Sequence, residues 1–281
     1  MQFINYNGNV IPADQPVFTA KNRSFRYGDG IFESIRVINN KICFLANHFE
    51  RLKHDTSFLH IELPSFFTEK FLKEQIADLL KKNMLTSDAR VRVTIFRKQG
   101  GFYGPIDNSL EYLIEAEAIY ENGFNLNKIG LIIDIYEDLN KPLNRLSNVK
   151  SNNSLYFVFA SIFRDEKKLD DCLILNESGN IAEATSSNFF LVSSGKLYTP
   201  ALEEGCIAGT MRKTIIELAL SSGRKVYECS INPEDLLDAD ELFLTNATNG
   251  IRWIGGYEKK RYFHPVASKL NQLLINKAAE K

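Results

Sequence analysis

The chain has 281 residues, and its 34 lysines and arginines nearly balance its 35 aspartates and glutamates, which leaves a formal net charge of −1. The length favours two domains, and the 20 phenylalanines and 11 tyrosines are enough for a buried core, which excludes a disordered chain. A charge near zero lacks the basic patch typical of nucleic-acid binding, so no nucleic-acid partner is expected.

The four cysteines lie far apart without a CxxC pair, so neither a disulfide framework nor a metal site is predicted. The first residues form no signal peptide, and no apolar run approaches the roughly 20 residues of a membrane span. We therefore expect a cytoplasmic protein with no membrane partner.

Hydrophobic periodicity predicts short strands and two helices in a smaller N-terminal α/β domain, residues 1–119. Its predicted elements are a hairpin over 5–11 with the turn Asn7-Gly8, a second hairpin over 31–45 with the turn Asn39-Asn40, helices over 45–59 and 67–84, and a strand over 89–96. The polar, glycine-containing stretch 120–124 then predicts a linker.

The larger C-terminal domain, residues 125–281, mixes strands and helices, so the fold class is α/β (α+β). Its predicted strands cover 129–136, 172–175, 188–192, 225–229 and 241–244. Its predicted helices cover about 152–165, 210–222, 233–238 and 265–277.

Several segments carry residue types suited to chemistry, although each alone has an ordinary structural interpretation. The pair Gly28 and Gly30 without a third glycine is typical of a turn. His48 and His54 lie six positions apart on a helix and so face different sides, which excludes a shared metal. The glycine-containing loop before the helix at Thr210 is different, because the amides and dipole of a helix start attract anions.

Taken together, these segments form an ordered set over nearly the whole chain. The set comprises residues 27–33 (YGDGIFE), His48-x-x-Arg51-Leu52, Lys150, residues 183–188 (EATSSN), residues 209–212 (GTMR), residues 240–243 (DELF) and residues 245–248 (TNAT). It resembles the class IV aminotransferases, the two-domain fold-type IV pyridoxal-phosphate enzymes that include branched-chain and D-amino-acid aminotransferases and 4-amino-4-deoxychorismate lyases.

The resemblance implies pyridoxal 5'-phosphate as cofactor and a role for each matching residue. Lys150 would form the Schiff base and act as general acid and base, and Glu183 would face the pyridine nitrogen. The phosphate ligands that it implies are Arg51, Gly209, Thr210, Asn246, Ala247 and Thr248. The substrate contacts that it implies are Phe32, Arg97 and Tyr103. It also implies a homodimer whose substrate is a small molecule, either an amino acid or a 2-oxo acid.

A second lysine resembles the family signature as well. Lys141 begins Lys-x-x-Asn-x-Leu but precedes Glu183 by 42 residues, whereas Lys150 precedes it by 33, which is closer to the family spacing. We therefore favour Lys150. Leu155, with Tyr156 beside it, occupies the place of a tyrosine that branched-chain enzymes use to bind the cofactor.

The predicted activity is amino transfer between an amino acid and a 2-oxo acid. Phe32 replaces a tyrosine of the D-amino-acid enzymes, and no Arg-x-His pair follows Arg97, so a branched-chain-like L-amino acid is favoured. The alternative is a 4-amino-4-deoxychorismate lyase that releases pyruvate, since residues 97–101, 209–212 and 246–247 resemble the lyases. A non-catalytic relative of the same fold is a third alternative.

Overall fold

The computed structural model describes residues 1–121 and 123–280, and it divides into two compact units. The first unit comprises residues 1–123 and 150–153, and the second comprises 124–149 and 154–281. The continuous part of the first unit ends inside the predicted linker 120–124, of which Asn122 lies outside the described residues. Residues 150–153, which the prediction placed in the C-terminal domain, belong to the first unit.

The first unit is a six-stranded sheet with helices packed on it. Its elements are β1 (Phe3–Tyr6), β2 (Asn9–Pro12), α1 (Arg23–Tyr27), β3 (Gly30–Ile38), β4 (Lys41–Ile42), α2 (Leu45–Phe58), α3 (Glu69–Lys82), β5 (Ala89–Arg97) and β6 (Leu110–Ala118). The strand order is β2-β1-β6-β5-β3-β4, and all neighbouring strands are antiparallel. Helix α2 packs on β3, and α3 packs on β1 and β6.

Local sequence explains several of these elements. Both predicted hairpins are confirmed, and Asn39 and Asn40 both adopt left-handed backbone angles, which suit the tight turn between β3 and β4. Helix α3 begins where the Thr68 hydroxyl accepts the Phe71 N–H, and it buries Leu72 and Ile76 completely.

The second unit contains a larger mixed sheet. Its elements are β7 (Leu131–Lys141), α4 (Leu155–Lys167), β8 (Asp171–Asn176), β9 (Ile181–Ala184), β10 (Asn188–Ser193), β11 (Lys196–Pro200), α5 (Thr210–Ser221), β12 (Val226–Cys229), α6 (Asp235–Asp238), β13 (Glu241–Asn246), β14 (Gly250–Tyr257), β15 (Lys260–Arg261) and α7 (Pro265–Ala279). The strand order is β12-β11-β10-β13-β14-β7-β8-β9, and β15 pairs with β14.

Residues of β9, β10 and β13 belong to one hydrophobic core of the second unit. Strand β10 pairs antiparallel with β13, with Asn188 opposite Thr245. Every residue of β9 is buried, so a charged side chain there requires partners inside the protein. Among the described residues, no helix has the length and apolar character needed to cross a membrane.

Candidate functional site

Glu183 is a buried carboxylate in the middle of β9, and both of its oxygens have partners within the second unit. Its Oε1 forms an ion pair with the ammonium of Lys141, the last residue of β7. Its Oε2 accepts the backbone N–H of Ile207 at 3.2 Å. Lys141 and Glu183 are 4% and 3% exposed, so the two side chains pair in the protein interior, where an unpaired charge is costly.

The loop that contributes the Ile207 N–H leads directly into helix α5. Gly209 is the first residue before that helix, and no side chain caps the helix start. A Cβ on Gly209 would lie 1.8 Å from Oδ1 of Asn188, whose Nδ2 donates to the Ile207 carbonyl at 2.9 Å. The backbone at the start of α5 is therefore close-packed, with the amide groups and positive dipole end that bind phosphates.

A turn at the end of β13 is tied to the segment that follows Glu183. The Asn246 Oδ1 accepts the N–H groups of Thr248 at 3.1 Å and Asn249 at 2.8 Å, and its Nδ2 donates to the Ser187 hydroxyl at 3.0 Å. Side-chain hydrogen bonds in the second unit thus join the predicted cofactor segment 183–188 to the loop that leads into Gly209 and Thr210, and to residues 246–248.

Arg51 lies in the first unit, where it belongs to a buried charged cluster. Its Nε and one terminal nitrogen donate to the two oxygens of Glu33 at 2.7 and 2.5 Å, and Nδ1 of His48 lies 2.7 Å from the same carboxylate. Burial acts to raise the pKa of Glu33, but Arg51 and His48 overcome it and lower that pKa to about 2. The bidentate contact fixes the guanidinium plane of Arg51 on helix α2.

Lys150 lies in the segment that the first unit takes from the middle of the chain. Its backbone N–H donates to Asp55 Oδ2 at 3.2 Å, and its carbonyl accepts the Phe32 N–H at 3.0 Å. Its ammonium lies 4.4 Å from the ring centroid of Phe32. The structure therefore brings the predicted catalytic lysine to the predicted substrate residue Phe32.

Arg92 is a neighbour of Phe32 that sequence reasoning missed. Its guanidinium carbon lies 3.8 Å from the Phe32 ring centroid, and its Nε donates to the Thr94 hydroxyl at 3.2 Å. Burial lowers the pKa of Arg92, which marks a partly desolvated cation. The alternation in β5 predicted a polar face for this strand. The strand register pairs Phe32 with Thr94 and Ser34 with Arg92, so Arg92 reaches Phe32 diagonally, a contact that the sequence of one strand cannot show.

The other two predicted substrate residues have different surroundings. Arg97 donates to Asp29, to the Leu59 and His60 carbonyls and to Asn108, which engages all five of its N–H groups. A substrate carboxylate could bind Arg97 only by displacing one of these acceptors. Tyr103 is 87% exposed, and its ring centroid lies 5.3 Å from that of Tyr27.

Comparison with known proteins identifies the family. Residues 30–255 match the family model described as amino-transferase class IV. The chain belongs to the class IV aminotransferases. Class IV aminotransferases are enzymes that use pyridoxal 5'-phosphate.

Individual relatives cover most of this class IV chain. A Methanocaldococcus jannaschii protein that carries the provisional name branched-chain-amino-acid aminotransferase is 29% identical over 243 residues, which is 86% of this chain and 83% of that protein. An aminodeoxychorismate lyase of Vibrio harveyi is also 29% identical, over 84% of this chain and 85% of the lyase. The branched-chain aminotransferase of Thermoproteus uzoniensis shares the fold with a TM-score of 0.87 at 22% identity, covering 99% of this chain and 96% of that one.

The residues of the second unit fit this cofactor. A protonated pyridine nitrogen requires a buried carboxylate as acceptor, and Glu183 is a buried carboxylate paired with Lys141. A phosphate requires backbone amide donors, and helix α5 begins at Thr210 with no side-chain cap on its start. The chemistry of both groups therefore matches the cofactor.

Proposed function

We propose that the protein is an aminotransferase that moves an amino group between a branched-chain-like L-amino acid and a 2-oxo acid. The observation that carries this proposal is the connection, within one unit, between the buried Glu183 carboxylate and the glycine-led start of α5 through the Ile207 N–H. An acceptor for a protonated ring nitrogen is thereby coupled to backbone amide donors for a phosphate.

We propose Lys150 as the lysine that binds the cofactor covalently and moves the proton during amino transfer. Support comes from its spacing of 33 residues before Glu183 and from its position against Phe32. Lys141 is disfavoured because its ammonium already pairs with the Glu183 carboxylate and donates to the Ser147 carbonyl.

When bound, pyridoxal phosphate supplies an electron sink for the substrate carbanion. Glu183 would keep the ring nitrogen protonated, because an anion beside it stabilises the positive charge. The proposed phosphate ligands are Arg51, Gly209, Thr210, Asn246, Ala247 and Thr248. Phe32 would present an apolar surface to the substrate side chain, and Arg92 would offer its guanidinium to a carboxylate.

A second activity, release of pyruvate from 4-amino-4-deoxychorismate, has specific support as well. The Vibrio harveyi lyase is as similar in sequence as the Methanocaldococcus protein, both being 29% identical. The lyase would use Lys150 and Glu183 in the same roles, so the two activities differ in substrate rather than in machinery.

Assays of the purified protein distinguish these activities. We expect the protein to purify with the visible absorbance of pyridoxal phosphate and to transfer amino groups from L-leucine or L-valine to 2-oxoglutarate faster than from D-alanine. Pyruvate formed from aminodeoxychorismate without any amino transfer would instead establish the lyase.

Borohydride reduction followed by peptide mass mapping tests the proposed lysine. We expect the cofactor mass on the peptide that contains Lys150. A colourless protein that takes up no added pyridoxal phosphate would overturn the proposed function as a whole.

A further inference from the structure

Lys141 is the second lysine of the proposed site, and its contacts differ from those of Lys150. Resting on the proposed function, we infer that Lys141 is a positioning residue that keeps the Glu183 carboxylate ionised and correctly placed. It is thus distinct from the lysine that carries the cofactor.

The surroundings of Lys141 resemble those of a fixed counter-ion. Its ammonium contacts Glu183 Oε1, donates to the Ser147 carbonyl at 2.9 Å and lies 5.3 Å from the Phe157 ring centroid. The Ser147 hydroxyl in turn donates to the Pro142 carbonyl, which closes the turn after β7 around the lysine. With these partners in place, the ammonium is held at the end of β7.

Glu183 extends this arrangement to the start of α5. Lys141 holds one carboxylate oxygen, and the other accepts the Ile207 N–H two residues before Gly209. Cys206, whose pKa burial raises to about 12, interacts electrostatically with Glu183, Lys141 and Arg212, and Arg212 pairs with Glu228 at 2.6 Å. Arg212 is therefore already compensated, and Lys141 is the cation that directly contacts the Glu183 carboxylate.

This arrangement has a chemical consequence. A carboxylate in the protein interior takes up a proton when its counter-charge is removed, because burial disfavours the anion. A protonated Glu183 could no longer accept a proton-bearing ring nitrogen in the way that the anion does. Lys141 would therefore prepare the site before the cofactor arrives.

The test compares full-length, cofactor-free Lys141→Met with the double variant Lys141→Met/Glu183→Gln by infrared difference spectroscopy at pH 7. We expect the carbonyl band of a protonated carboxylic acid in Lys141→Met, lost in the double variant. The corresponding difference between wild type and Glu183→Gln should lack the band, and Lys141→Arg should restore the ionised state. A Lys141→Met protein without the acid band would overturn the inference, since a purely structural ion pair would change stability alone.

Cofactor binding supplies a second readout. We expect the dissociation constant for pyridoxal phosphate to rise roughly tenfold in Lys141→Met, which corresponds to about 1.4 kcal/mol, because a protonated Glu183 no longer accepts the protonated ring nitrogen. The rise should be clearly smaller in Lys141→Arg. Equal dissociation constants in wild type and Lys141→Met would contradict a role for Lys141 in preparing Glu183.

Borohydride labelling of the wild-type protein separates the role of Lys141 from the proposed function. If peptide mapping finds the cofactor mass on Lys141, the inference is overturned while the pyridoxal-phosphate function stands. If the wild-type protein bound no cofactor at all, the proposed function would fail. The infrared comparison would then still decide whether Lys141 keeps Glu183 ionised.

Discussion

At the scale of single residues, Glu33 is a buried carboxylate whose charged partners stabilise its ionised form. Its pKa falls from an ordinary 4.5 to about 2, because Arg51 and His48 outweigh burial. A lowered pKa stabilises the folded state above the unfolded pKa of about 4.5, and the stabilisation disappears as the pH falls towards 2. The shift corresponds to about 3 kcal/mol.

We therefore predict that the free energy of unfolding of the wild-type protein declines between pH 4.5 and about 2 in part through Glu33. Glu33→Gln should be less stable at pH 7 and should show a shallower decline over this range. Urea unfolding at a series of pH values measures both effects. Glu117→Gln, at an exposed ion pair with Arg90, serves as control and should reproduce the wild-type curve.

Replacement of Glu183 should slow amino transfer without abolishing cofactor binding. Glu183→Gln should still bind pyridoxal phosphate, because the phosphate contacts remain, but it should slow amino transfer by roughly 100-fold or more, as for the loss of one preorganised electrostatic group. Single-turnover absorbance measurements with an L-amino acid report this step. Glu241→Gln is the matched control, since Glu241 is also buried in the second unit but accepts the N–H groups of Val266 and Ala267. An unchanged rate in Glu183→Gln would exclude Glu183 as the ring partner.

At the scale of elements, the start of α5 depends on the absence of a side chain at Gly209. In Gly209→Ala the new Cβ would meet Asn188 Oδ1 at 1.8 Å, so either the Asn188 side chain or the helix start must move. We expect roughly tenfold weaker pyridoxal-phosphate binding, the equivalent of about 1.4 kcal/mol at a helix N-terminus. Fluorescence titration measures the affinity. Gly104→Ala, where a Cβ meets nothing within 4 Å, should bind as wild type does.

The elements also show what sequence patterns can reveal. Strong local signals were sufficient for the Asn39-Asn40 turn and for helix α3, because turn chemistry and a 3.6-residue period are encoded locally. Strand β14 was missed because three glycines interrupt its apolar pattern, and its pairing with β7 is non-local. Strand β6 was missed although apolar and acidic residues alternate along part of it.

The candidate site, like the fold, contains features that the sequence predicts and features that it does not. Ordered motifs predicted Glu183, Gly209 and Asn246, and the structure joins their segments. The partnership of Lys141 with Glu183 and the contact of Arg92 with Phe32 were not predictable, because each depends on strand register or on a chain separation that no local pattern records. Lys141 carries a family-like signature, and only its side-chain contacts suggest a different role.

At the scale of the whole molecule, helix α4 carries an apolar face that the described residues leave exposed. Leu155, Val158, Phe159 and Ile162 recur with helical spacing and are 69%, 48%, 47% and 48% exposed. The opposite face packs Ala160 against Tyr136 and Cys172. Since large exposed apolar patches mark interaction surfaces, we propose that this face of α4 contributes to the homodimer expected from the family.

We predict that the wild-type protein is a dimer by light scattering coupled to size-exclusion chromatography. Val158→Glu/Phe159→Glu should weaken the dimer by roughly 100-fold or more, about 3 kcal/mol, because two apolar contacts are replaced by charges that resist desolvation. Leu220→Glu on α5 is the matched control: Leu220 is 55% exposed, and its replacement should leave the dimer intact. A wild-type monomer at micromolar concentration, or equal dissociation of the control and the α4 variant, would show that α4 does not form the interface. Sedimentation equilibrium at several protein concentrations measures the dissociation constants of all three proteins.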